Sequence, residues 1–429
     1  MAILARGKAA VGLAVAITAV LLGPLVLTPS AVATAPLTVT NFPVPGSFPW
    51  GTAFDGRGRV WVALPGCDLA PSCPASTPPG KLALFDPPTH TFVKVVTLPP
   101  GYGQPLFVAV GGEGRVWFTM PVTNAIGVYD PWSGTVAQWP VPTPTAGPWD
   151  LALDWSGKVW FTEHYTNQIA SFDPWTRTFR EIATPTAGSD PYGITIDHQW
   201  NVWFTENPDS VAQIAEYTRW GGHVLEYRIR SGATAGSGLT PHLITIDGRG
   251  NPWWSEGFAT AVGTLDREKA HPGTNDGVTE YVYSQPHTGH TSGIAYHDGW
   301  VWLDDSDKNV FGWLPADGGS FTFFPSPGAH PHDGLNVDWH GRVWFDEEFS
   351  NTLAVATPAF HPYPRPSEGK GPAAGSPVAP PAPALAPAAV VPSTSSTSAA
   401  PAATTSTSPT STSTVVNPPT TSTTAVHRA

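Results

Sequence analysis

Cysteine is almost absent: the 429 residues contain two, Cys67 and Cys73, with five residues between them in one Pro-rich insertion. A cysteine-built metal site would need more Cys or His nearby, so a single local disulfide is the expected use of the pair. Basic residues are also scarce, 21 against 33 acidic ones. No basic run is interleaved with aromatics, which argues against a nucleic-acid partner. No segment carries a helical period. One apolar run lies near the start of the chain and no second span follows it, so any membrane connection would pass through that first segment alone.

That segment, residues 1–34, has a basic start at Arg6 and Lys8, an apolar stretch from Ala9 to Leu27 broken by Pro24, and small residues from Ala31 to Ala35. This is the layout of a secretory signal peptide, and an uncleaved anchor is the lesser reading. The expected location is therefore secreted or cell surface. At the other end, residues 366–429 form a low-complexity tail. From 371 onward it holds almost only Pro, Ala, Ser, Thr and Val, with Arg428 its one charged residue. Such a sequence buries too little apolar surface to offset its ordering entropy. It reads as a disordered stalk, glycosylated or a bare linker. Residues 35–365 remain as the folded domain.

What fills those residues is a repeat. A tryptophan in a Val-Trp-Phe-like strand recurs at Trp61, Trp117, Trp160, Trp203, Trp253, Trp302 and Trp344, at spacings of 56, 43, 43, 50, 49 and 42 residues. One four-stranded propeller blade has about this length. Pro191 to Glu206, "PYGITIDHQWNVWFTE", gives a strand, a polar turn and a second strand, and "QIAEY" gives a third. The same sentence begins at Pro148 and Pro241, and more loosely at Pro49 and Pro105. The fold class is all-β, a seven-bladed β-propeller. The last unit lacks a fourth strand while residues 37–45 read as a strand without a blade. The N-terminal strand is therefore expected to complete the seventh blade and close the ring, removing free sheet edges.

Features present in most blades are architecture, and features that break the repeat are candidates for function. The acid that ends the Trp strand, Glu163, Glu206, Glu256, Asp305 or Glu347, recurs in five units and reads as structural. Histidine is uneven: His242, His287, His290, His330 and His332 fall at or before the first strands of units five to seven, where earlier units carry Trp50, Leu106, Trp149 and Tyr192. First strands line the central channel, so these imidazoles are expected around one sector of one mouth, where they could bind a metal and hold a general base. The alternative is a set of exposed loop histidines.

The repeats "VWFTEHYTNQI" (Val159 to Ile169) and "VWFTMPVTNAIG" (Val116 to Gly127), with outer strands such as "QWPVPTP", resemble the virginiamycin B lyases over about residues 37–360. The resemblance implies a seven-bladed propeller that opens cyclic depsipeptides by elimination at an ester bond with a magnesium ion. It implies His332 as the catalytic base, His290 as the substrate-binding residue, and Glu347 as a metal ligand. His330 stands where the family has its other metal-binding Glu, a change that favours zinc or another transition ion over magnesium. His242 keeps the strict substrate-histidine register one blade early. Strict register from the tryptophans instead puts Ser292 and Asp333 at the histidine positions of units six and seven. A metal-dependent lactone hydrolase on the same architecture is a second enzymatic reading, since elimination and hydrolysis both need a metal, a base and an ester, and the expected partner of either is a small-molecule ester or lactone. The competing reading is a non-catalytic extracellular propeller that binds a glycan or protein through aromatic rims.

Overall fold

The computed structural model describes residues 37–358 except 69–72, 75 and 231–235; the expected signal peptide, 1–34, and the expected low-complexity tail, 366–429, lie outside the described residues. Seven four-stranded antiparallel sheets follow one another as blades. Blades 1 to 6 span residues 52–97, 108–140, 148–183, 191–228, 241–282 and 291–325. Blade 7 takes three strands from residues 336–358 and its outer strand from Leu37–Pro43, which pairs along its whole length with Thr352–Pro358. The expected ring closure is thus present. No α-helix occurs among the described residues, only the 3-10 turn Glu348–Ser350. None of their helices is long and apolar enough to cross a membrane.

The repeat sentence explains the blade. Its second strand is covered on both faces by neighbouring blades, so all five residues of Val159–Glu163 and of Val202–Glu206 are buried. The register tryptophan packs there and also settles its indole N–H. Nε1 donates to the Asp six residues earlier: Trp203 to Asp197 at 3.0 Å, Trp253 to Asp247 at 3.2 Å and Trp344 to Asp338 at 2.9 Å. The same Asp197 carboxylate accepts the N–H groups of Gln199 and Asn201, holding the first hairpin. One residue therefore serves the turn and the core at once. Between blades the inner strands nearly touch. A Cβ on Gly193 would stand 2.5 Å from the His242 carbonyl oxygen, and one on Gly334 would stand 2.3 Å from that of Trp50.

The recurrent acids behave as architecture: Glu163, Glu206, Glu256, Asp305 and Glu347 are fully buried. Burial, with Glu181 beside the first and Glu226 beside the second, pushes Glu163 up to about 8 and Glu206 up to about 9. The folded chain thus keeps protons that the unfolded chain releases near pH 4.5. Their stabilisation is present below that pH and is lost as pH rises through the folded values. The thermal midpoint should fall by several degrees between pH 6.5 and pH 9. Glu206→Gln, which cannot ionise, should flatten the slope when melting is followed by circular dichroism; an unchanged slope would contradict this assignment.

Cys67 and Cys73 are bonded to each other, Cα to Cα 5.5 Å. The loop they close is short, so reduction should cost at most ~3 kcal/mol on the chain-entropy estimate. A reductant should lower the melting temperature only slightly, and free-thiol titration before reduction should find none.

Candidate functional site

In each blade the chain enters the inner strand at one mouth of the channel, and the residue two before the second half of that strand faces the axis. Strict register gives Trp50, Leu106, Trp149, Tyr192, His242, Ser292 and Asp333 at that level. Three of them converge on Asp333, which is 3% exposed. Its Oδ2 accepts from the Tyr192 hydroxyl at 2.7 Å and from Trp50 Nε1 at 3.3 Å, and its Oδ1 accepts from the Ser292 hydroxyl at 3.1 Å. Blades 1, 4, 6 and 7 are tied together through one carboxylate. The same contact holds Tyr192 as a phenol, its pKa raised well above the ordinary value by burial and by the Asp333 charge.

The histidines form one continuous cluster around this layer. His242 Nε2 lies 2.9 Å from His290 Nε2; the His290 and His332 rings are 5.9 Å apart, and those of His332 and His330 are 5.0 Å apart and stacked. His242 Nδ1 donates to the Thr240 carbonyl at 2.6 Å, which fixes its tautomer and leaves Nε2 to accept from His290. Phe258 stacks on His290 and Phe349 on His330, with centroids 4.6 and 4.1 Å apart, while Trp50 meets His332 edge-on at 4.6 Å. His287 is held apart, its Nε2 against the Gly236 carbonyl at 3.2 Å.

Burial lowers the pKa of His242 and takes those of His290 and His332 well below the ordinary imidazole value, with neighbouring histidines adding to the effect at the last two. All three are neutral at pH 7. His332 Nδ1 is buried and makes no hydrogen bond; it stands 4.0 Å from Asp333 Oδ2. Several buried carboxylate oxygens share this condition, and among the described residues His332 Nδ1 is the one imidazole nitrogen that does.

Glu347 is elsewhere. Its Oε1 accepts from the Ser326 hydroxyl at 2.5 Å and the Gly328 N–H at 2.6 Å, and its Oε2 from Asn41 Nδ2 at 2.9 Å and from the Thr352 hydroxyl at 2.5 Å. These bonds clamp the closing strand and the loop before blade 7. The acid that meets the histidines is the next residue: Glu348 Oε2 lies 2.9 Å from His330 Nδ1, and Glu348 is 1% exposed. In other blades too, the residue after the recurrent acid reaches the start of an inner strand. His164 Nδ1 lies 3.2 Å from the Pro191 carbonyl, Asn207 Nδ2 donates to that of Pro241 at 3.0 Å, and Ser306 Oγ bonds Ser292 at 3.3 Å. These residues differ from blade to blade, the same signal that singled out the histidines.

The mouth therefore offers imidazoles, Glu348, and an Asp333 already engaged by three donors. Magnesium requires a near-octahedral set of oxygens, and this donor set does not fit it. Among the described residues no group of three or more His, Cys, Asp or Glu side chains is arranged to hold a metal ion.

Residues 92–272 match the sequence model of the Virginiamycin B lyase family. The match contains His242 and ends before His290. Among solved structures, the virginiamycin B lyase of Staphylococcus aureus is 21% identical, with 75% of this chain and 99% of that one covered and a TM-score of 0.63. The same figures hold for a catalytically inactive variant of that enzyme crystallised with quinupristin. The extracellular domain of the two component system BT4673 from B. thetaiotaomicron is 12% identical, covers 74% of this chain and 42% of that one, and gives a TM-score of 0.57. No curated protein matches the chain in sequence.

Proposed function

We propose that this virginiamycin B lyase-like propeller is a secreted or cell-surface carbon–oxygen lyase that opens a cyclic ester at its histidine mouth, with His332 as the base. The observation that carries the reading is the neutral His332 imidazole, whose Nδ1 is buried without a hydrogen-bond partner beside other imidazoles. His332 removes a proton from the carbon next to the one that bears the ester oxygen. A carbon–carbon double bond forms, the carbon–oxygen bond breaks, and a carboxylate leaves. The product is an isomer of the substrate. His330 takes the electrophilic role. In this reading Glu348, whose pKa burial raises, keeps its proton and donates from Oε2 to His330 Nδ1 at 2.9 Å, which leaves the ring proton on Nε2 as the donor that polarises the carbonyl beside the acidic carbon. The family's magnesium is thus replaced by an imidazole in this chain. Secretion is supported by the leader-like residues 1–34 and by the Cys67–Cys73 bond.

A second reading, pure binding, is favoured by the saturation of Glu347, which leaves the mouth without the family's acidic metal pair, and by the aromatic rim of Phe258 and Phe349. Mass spectrometry separates the readings. Incubation with quinupristin or a macrocyclic lactone should give a product of unchanged mass with a new conjugated chromophore. A gain of one water would mean hydrolysis, and saturable binding with unaltered ligand would make the chain a receptor.

A further inference from the structure

Six tryptophans are exposed, and none of them belongs to the histidine mouth. Trp132 is 84% exposed, Trp155 62%, Trp175 54%, Trp200 41%, Trp220 86% and Trp339 73%. In an antiparallel four-stranded blade the turn between strands one and two and the turn between strands three and four fall on one end. Trp155, Trp200 and Trp339 occupy first turns, and Trp132, Trp175 and Trp220 occupy last turns. All six therefore stand on the face opposite the mouth. Contacts between the two turns confirm their common side: Trp132 Nε1 donates to the Glu113 carbonyl at 3.2 Å, and the Arg219 N–H donates to Asn201 Oδ1 at 3.1 Å. Arg219 lies over both Trp155 and Trp220, 5.2 and 4.9 Å from their rings, and joins blades 3 and 4 into one patch.

The hairpins do not need these indoles. At Trp132 and Trp175 the backbone N–H closes the turn by donating to Asp130 and Asp173 at 2.9 Å, and the single indole bond, from Trp132 to the Glu113 carbonyl, leaves that ring 84% exposed. Where blades 3 and 7 have Trp155 and Trp339, blades 1 and 5 have Gly56 and Gly248. Large indoles placed in solvent by choice mark a contact surface.

We propose that the Pro-rich part of this chain's own C-terminal segment, residues 371–401, docks on that tryptophan face. The last strand ends at Pro358, opposite Leu37 and two residues past Ala356, which pairs with Val343 at the end of the Trp339 hairpin. The chain thus leaves the propeller on the tryptophan side, beside Trp339. About twenty residues of extended chain reach ~60 Å, more than the ~50 Å width expected for a domain of this size. Residues 371–427 contain no Asp, Glu, Lys or Arg, so laying them on indoles desolvates no charge. Proline-rich segments are pre-ordered for aromatic grooves, and tethering supplies a high effective concentration. A second copy is disfavoured by the net charge of −12.

Limited digestion of the full chain with a protease that cuts after Ala and Val tests this. Trp132→Ala/Trp155→Ala/Trp220→Ala should release tail fragments about tenfold faster than the wild type, with the propeller's melting temperature unchanged. The corresponding Tyr triple variant should restore most of the protection. Equal rates in the Ala variant and the wild type overturn the proposal. Protection that fades on dilution, together with a dimer in sedimentation, assigns the face to a second copy and overturns it too. Tryptophan-dependent retention on an insoluble neutral polysaccharide, with a tail equally labile in all variants, assigns the face to a glycan and likewise overturns it.

Discussion

A chain that begins at Phe48 should fail to form a stable propeller, with a melting temperature at least 10 °C below that of the chain beginning at Ala35. The strand it lacks, Leu37–Pro43, pairs seven residues with Thr352–Pro358. Asn41 donates to the buried Glu347, and the Val44 N–H donates to the Asn351 carbonyl at 2.9 Å. Phe42 lies 4.5 Å from the Phe85 ring of blade 1, so the strand also seals the seam between the last blade and the first. Backbone bonds worth about 1 kcal/mol net apiece, with the half-buried Leu37, Val39 and Phe42 at about 1 kcal/mol each, sum to several kcal/mol. That is comparable with the whole stability of a typical domain. Two bare sheet edges would invite aggregation as well. A synthetic peptide of residues 37–47 should restore solubility when added during refolding. Equal stability of the two chains would refute the closure.

His332→Ala should lower turnover of the cyclic ester at least a hundredfold, the usual contribution of a positioned base, without lowering the melting temperature comparably. Glu347→Gln should do the reverse. It spoils a carboxylate that accepts four hydrogen bonds and should cost about 2–3 kcal/mol of stability, much as Glu206→Gln is expected to act on the fold alone. Glu348→Gln should lower the rate through His330 while the pH profile set by His332 stays that of the wild type. Because burial holds His332 well below the ordinary imidazole value, the rate should stay level as pH falls through 6.5 and decline only at lower pH. A limb centred near 6.5 would place the base on an exposed group instead.

The blade count, the closing strand and the disulfide were legible because each follows from counting: seven tryptophans, one strand short at one end and one spare at the other, two cysteines. The histidine cluster was legible because it breaks the repeat. The acid beside it was not. Glu347 and Glu348 are adjacent, and the 3-10 turn at Glu348–Ser350 sends their carboxylates to different neighbours, which no spacing rule reveals. Asp333 was masked in a similar way. Register from the tryptophan put it on the axis, whereas the family pattern pointed to His332, one residue earlier. Both are at the mouth, because Pro331 already bridges to Glu347 ahead of the short strand Asn336–Val337. His164 escaped notice because it follows the Trp strand of blade 3, one residue past Glu163, away from the first strands that drew attention.

On the proposed reading imidazoles, with His332 as base and His330 as electrophile, do the work that a magnesium ion does in the family this propeller resembles. Turnover of the depsipeptide by protein stripped with a chelator, and assayed with the chelator present, tests it most directly. An isomeric product should form at an undiminished rate and be lost in both His330→Ala and His332→Ala. Product that appears only when magnesium is restored would contradict it.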